Sequence, residues 1–247
     1  MTTKLPAMTE PVDLLAIGAH PDDVELTCAG TLIKMARQGY ATGIVDLTNG
    51  EMGTRGDVES RRKESQEAAR VMGTAVRLRA ELPDGHLHNT DQTRRVVVEL
   101  IRMLRPRTVV LPFPVGRHPD HRVASELGRD ACFLATLVKY DAPGEPHRVE
   151  KVLYALAYRE DPVKPSFVVD ISEEFETKLR AIRCYPSQFD GTQSAGEIYP
   201  TGQDLYDLIR TQNAHCGSLI RVPYGEPFVT QETVRVDDVV AMGVRSL

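Results

Sequence analysis

No C-x-x-C pair occurs among the four cysteines, Cys28, Cys132, Cys184 and Cys216, which argues against a zinc knuckle or a dithiol redox motif and leaves them as buried free thiols. No apolar run approaches the ~18 residues of a membrane span, and the opening MTTKLPAMTE lacks the apolar core of a secretory signal. We therefore expect a cytoplasmic protein with no membrane partner. Basic residues are not in excess: 30 Lys and Arg stand against 35 Asp and Glu, a net charge of -5, which speaks against nucleic acid as a partner. Low-complexity segments and long internal repeats are absent as well. What remains, 41% hydrophobic and 26% charged residues over 247 positions, suits one soluble domain over 1–247 with a frayed start at 1–10.

That domain alternates short aliphatic runs with segments of helical period. Strands are expected at 12–18, 41–49, 75–82 and 107–113. The intervening helices fall at 23–39, closed by Gly39, and at 58–73, 91–104 and 120–139. Such alternation predicts an α/β fold, a Rossmann-like, mostly parallel sheet with helices on both faces. Beyond residue 140 the pattern loosens into a smaller irregular C-terminal part. It has strands at 149–158 and 165–171, Ser172 capping the next helix, a loop over 186–202 and a last helix near 203–215.

Two short stretches repeat a theme: GAHPDDVE at 18–25, and GRHPDHRV about a hundred residues later at 116–123. Each follows a strand, where open parallel sheets bind their ligands. A lone His-Pro-Asp is usually a capped turn, but two that converge bring His20, Asp22, Asp23, His118, Asp120 and His121 to one place. His20 and Asp23 are three apart, as are His118 and His121. Three N and O donors around an open position are what a catalytic zinc needs; the spacing does not decide between His118 and His121 for the third. Hydrolysis then needs a base, for which Asp22 is placed, and an acid or oxyanion partner. A protonated His118 fits that second role, with Asp120 orienting its ring and raising its pKa.

LLAIGAHPDDVELTCAGTL followed by RHPDH resembles the zinc-dependent N-deacetylases of the LmbE-like, or PIG-L-like, family, and the likeness continues through DLTNGEMGTRG, PDGHL, PHRVEKVLY and AIRCYPSQF. The resemblance implies His20, Asp23 and His121 as metal ligands, Asp22 as general base, and His118 as the transition-state stabiliser supported by Asp120. It implies Zn2+ as cofactor, with Fe2+ an alternative in the cell, and a small-molecule N-acetylated sugar conjugate as substrate. Within the family the chain is most similar to the enzymes acting on N-acetylglucosaminyl-malate in bacillithiol biosynthesis. The resemblance also implies a homo-oligomer, with a hexamer as one form. Arg61 and Arg148 match positions of substrate-contacting arginines, suited to a carboxylate-bearing sugar. Arg62 rivals Arg61, and Arg55 in the GTRG loop is a further candidate. Tyr199 and Tyr206 compete for one tyrosine position, while His86, His88, His147 and His215 read as surface or supporting residues.

Two other classes deserve comparison. Two histidines and a carboxylate also form the facial triad of iron(II) oxygenases, but these favour all-β folds and have no use for Asp22 as base. A nucleotide-binding module would want G-x-G-x-x-G after the first strand, where this chain writes GAHPDD, whose carboxylates would repel a pyrophosphate.

Overall fold

The computed structural model describes residues 11–157, 163–190 and 204–244, so the expected frayed start at 1–10 and Tyr199 lie outside the described residues. Among the described residues, seven strands form one sheet. In chain order they are β1 (Leu14–Gly18), β2 (Thr42–Thr48), β3 (Val76–Leu82), β4 (Thr108–Pro112), β5 (Lys151–Ala155), β6 (Phe167–Asp170) and β7 (Gly225–Val229). Their spatial order is β3-β2-β1-β4-β5-β7-β6. The first five pair in parallel, and β7 runs antiparallel to both β5 and β6.

Among the described residues the helices are α1 (Asp23–Thr27), α2 (Ala29–Arg37), α3 (Val58–Met72), α4 (Asp91–Leu104), α5 (Pro119–Leu134), α6 (Phe175–Ile182), α7 (Pro186–Phe189) and α8 (Leu205–Ser218). Every residue of β1 and β2 is buried, because both sheet faces are covered and no solvent side exists to demand alternation. Leu15, Ile17 and Val109 point to a core shared with Val97 and Ile101 of α4 and Leu127 of α5. Leu14, Ala16 and Val110 point the other way, to Leu32 and Ile33 of α2, Met72 of α3 and Ala181 of α6. A third cluster joins Leu26 to Phe175 and Leu179 of α6 and Ile209 of α8.

The expected α/β sheet with helices on both faces is present, and the differences have local causes. The helix expected over 23–39 breaks at Cys28 into α1 and α2. The freed N–H groups of Gly30 and Thr31 donate to the buried Glu226 carboxylate of β7, at 2.9 and 2.7 Å, which caps α2 from across the fold. Ser172 does not cap α6. Its hydroxyl donates to Asp170 at 2.6 Å, and the helix begins after Glu174. The helix expected to 139 ends at Leu134, and the strand expected over 149–158 covers Lys151–Ala155. Among the described residues no helix is long and apolar enough to cross a membrane.

Candidate active site

β1 and β4 are parallel neighbours, so the turn after one and the turn after the other open at the same edge of the sheet. Pro119 occupies the first helical position of α5, where its fixed φ costs nothing, and His118 precedes it as the cap. His118 and His121 thereby come to His20, with ring centroids 4.8 and 5.4 Å away. The Asp23 carboxylate lies between two imidazoles: Oδ1 is 3.0 Å from His121 Nε2 and Oδ2 is 3.4 Å from His20 Nδ1. Donors held ~2.0–2.1 Å from a tetrahedral zinc stand about 3.4 Å apart, a spacing that the His20–Asp23 pair matches. His20, His118 and His121 also offer nitrogens within 4.8 Å of one another, which keeps His118 at the edge of the same cluster.

Protons on the imidazoles balance the carboxylates of the cluster. Burial works to lower the pKa of His20, but the Asp23 and Asp84 carboxylates prevail and raise it to about 11. His121 is raised in the same way by Asp23, against its burial. Asp23 itself would be raised by burial, yet His121 and His20 hold it well below the usual carboxylate range. Asp22 goes in the other direction: burial, opposed by Arg61 and aided by Asp23, pushes it up from 3.8 to about 7. The candidate base is therefore poised near neutrality.

The far nitrogen of His20 meets two more carboxylates. Nε2 is 3.0 Å from Asp84 Oδ1 and 3.3 Å from Asp120 Oδ2. Asp84 is buried, accepts from Met52 N at 2.8 Å, and is held to about 2 by its His20 and backbone bonds in spite of burial. The sequence reading missed Asp84; its only signal was the PDGHL stretch. Asp120 was expected to orient the His118 ring. Its carboxylate instead turns to His20 and to Gly85 N at 2.8 Å, while its backbone N–H donates to His118 Nδ1 at 3.2 Å. Nor is the His118 pKa raised: burial, then His20 and His121, lower it. With Nδ1 accepting, the ring carries its proton on Nε2.

Arg61 is buried rather than displayed on the outer face of α3, and its Nη2 lies 3.6 Å from Asp22 Oδ2. Arg62 pairs outward with Glu59. Gln188 accepts from Arg61 and donates to the Arg55 carbonyl at 2.8 Å, so the turn at α7 ties Arg61 and the half-buried Arg55 loop together. Gly50, at φ 69, makes the approach possible: a Cβ there would collide with Arg61 Nη1. Arg148 is not brought to the site. It is exposed next to His147, which bonds Pro106 O, at the end of β4 opposite to His118. Tyr206 lies under the Arg183 guanidinium, 4.9 Å from its ring centroid, and packs on the third cluster rather than among the histidines.

The PIG-L family profile, described as GlcNAc-PI de-N-acetylase, matches residues 15–132, which span both His-Pro-Asp stretches. Diacetylchitobiose deacetylase of Thermococcus kodakarensis is 34% identical over 191 residues, 71% of this chain and 70% of that protein. A Bacillus anthracis protein named "Probable N-acetyl-alpha-D-glucosaminyl L-malate deacetylase 2" is 28% identical over 193 residues, 71% of this chain and 81% of its own length. The crystal structure of a conserved protein from Thermus thermophilus superposes with a TM-score of 0.82 at 38% identity, covering 92% of this chain and 98% of that one. With its paired motifs, its sheet and a relative this similar over most of both lengths, the chain belongs to the PIG-L, or LmbE-like, family.

Proposed function

We propose that this protein is a zinc-dependent N-deacetylase that hydrolyses the acetamide of an N-acetylglucosamine conjugate, N-acetylglucosaminyl-malate in the first instance, to acetate and the free amine. One observation carries the reading: the Asp23 carboxylate stands between His20 and His121, 3.4 and 3.0 Å from their ring nitrogens, with the buried Asp22 carboxylate beside it. Zinc bound there supplies a Lewis acid that polarises the amide carbonyl and lowers the pKa of water.

The chain's own groups supply the proton transfers. Asp22 accepts a proton from the attacking water, whose oxygen joins the acyl carbon. A group titrating near neutrality is suited to take that proton and to release it again. His118 donates from Nε2 to the developing oxyanion, its ring fixed by the Asp120 N–H. Asp22 passes its proton to the nitrogen as the C–N bond breaks, and returns as a carboxylate. Arg61 stays close enough to Asp22 to orient it and to meet an anionic group on the substrate.

Acetate release by zinc-loaded protein from N-acetylglucosaminyl-malate, N-acetylglucosamine and an inositol conjugate tests this. We expect the malate conjugate to be fastest and Asp22→Ala to keep its zinc but lose turnover. No release from any of the three, with zinc bound, would refute the reading.

A further inference from the structure

The chain beyond β7 carries apolar side chains that the fold leaves in water. Val234, Val239, Val240 and Val244 are 64, 78, 93 and 62% exposed, and Val236 and Met242 are exposed beside them. Aliphatic exposure this dense marks a surface that another molecule covers. The segment is tied to the fold at its root. Glu232 accepts from Arg129 of α5 at 2.8 Å, and one turn along the same face of that helix Phe133 is 66% exposed. Among the described residues the main chain of 233–239 makes no hydrogen bond. Residues 233–236 run without a bend, and Arg235 Nε donates to Asp237 at 2.8 Å, the i, i+2 neighbours that one side of a strand presents. A β-branched strand with free N–H and C=O groups is a template for pairing with another.

Its own sequence indicates which strand that is. When identical strands pair antiparallel about a two-fold axis, the axis falls on one residue, which then faces its own copy. Centred on Arg235 or Asp237 the pairing opposes like charges, and centred on Val234 it sets both charges against neutral side chains. Centred on Val236 it closes that side chain on its own copy and sets Arg235 against Asp237 of the second copy, twice over. We propose that residues 230–244 are a dimerisation arm, paired antiparallel with the same segment of a second copy in the register centred on Val236. Two strands alone are marginal, and Val239, Val240 and Met242, with Phe133 beside the root, supply the further apolar surface that the two copies bury. Because β7 runs antiparallel to β5, the arm leads away from the histidines.

Sedimentation equilibrium of the full chain tests this, comparing wild type with Arg235→Asp and with Arg235→Asp combined with Asp237→Arg. We expect a mass at least twice that of the single chain. Arg235→Asp opposes aspartates at both pairs and should weaken association about tenfold or more, and the double variant, with opposite charges restored, should recover it. Mild oxidation should join Val236→Cys to its own copy. Thr233→Cys, ~20 Å from its copy in this register, should stay unlinked. All these positions are exposed, so the variants keep the fold. A single-chain mass at every concentration overturns the proposal, as does a larger mass that Arg235→Asp leaves unchanged. A double variant no tighter than the single one, or equal linking at both cysteines, does the same. Each of these outcomes leaves the deacetylase reading untouched.

Discussion

Asp22, buried beside the histidine cluster, has a backbone that an aspartate seldom adopts, φ 114 and ψ -25. A side chain held in such a region costs ~1–3 kcal/mol and persists where function demands it. Comparing two variants isolates that cost, because both remove the carboxylate equally. Glycine normally destabilises relative to alanine by ~0.5–1 kcal/mol. Here we expect Asp22→Gly to be more stable than Asp22→Ala by about 1–2 kcal/mol in urea unfolding, with both inactive. The usual order, alanine above glycine, would show the backbone to be unstrained. Asp84 makes a second case. Carboxylates on the outer nitrogen of a metal-bound histidine fix its ring and raise its basicity, and losing one typically weakens metal ~10–100-fold. Asp84→Ala should weaken zinc by that factor in a chelator competition, and Asp84→Asn by less; an unchanged affinity with a lowered melting temperature would make Asp84 merely structural. The sequence hid this residue because a single aspartate before glycine reads as a turn. It misdirected Asp120 for a related reason: nearness in sequence pointed to His118, whereas the carboxylate acts across the sheet on His20.

Elements were legible where one local pattern sufficed. The apolar runs of β1, β2 and β4 and the apolar face of α4 needed no tertiary information. β7 was not foreseen, since GEPFV contains a proline without an N–H and a glutamate, both poor signs of an interior strand. The fold resolves each locally. Pro227 still accepts from Leu156 N at 3.2 Å, and Glu226 is buried against α2 and Lys178, whose Nζ is 2.7 Å away. That one carboxylate also explains the break at Cys28, which periodicity cannot register. Both members of the pair are fully buried, so removing one leaves an uncompensated charge. We expect Lys178→Met to cost ~3–5 kcal/mol in chemical denaturation, and Lys178→Met with Glu226→Gln to recover part of it, because glutamine can still accept from the α2 N–H groups. A double variant no better than the single one would show that charge is not the origin of the loss.

At the scale of the molecule, the sheet brings together two loops about a hundred residues apart, and the apolar clusters beneath them contain none of the site's polar side chains, so the chelated protein should remain folded. Its stability should then depend on pH through the cluster. The proton on His20, raised from 6.5 to about 11, stabilises fully below pH 6.5 and is lost as pH rises toward 11; His121 follows in the same direction. Asp22, raised from 3.8 to about 7, likewise favours the folded state at low pH and withdraws that contribution through about 7. Asp23 and Asp84 are depressed, and their contribution fails below 3.8, outside the working range. Zinc responds oppositely. It must displace the protons on His20 and His121, so its affinity climbs with pH, and each hundredfold excess over Kd adds ~2.7 kcal/mol to the folded state. The melting temperature with zinc minus that with chelator should therefore widen between about pH 5.5 and pH 8, by several degrees for a chain of this size. Scanning calorimetry at fixed free zinc measures that gap. A gap that stays constant or narrows would mean that the cation does not bind where these protons sit, and the ligand set His20, Asp23 and His121 would have to be abandoned.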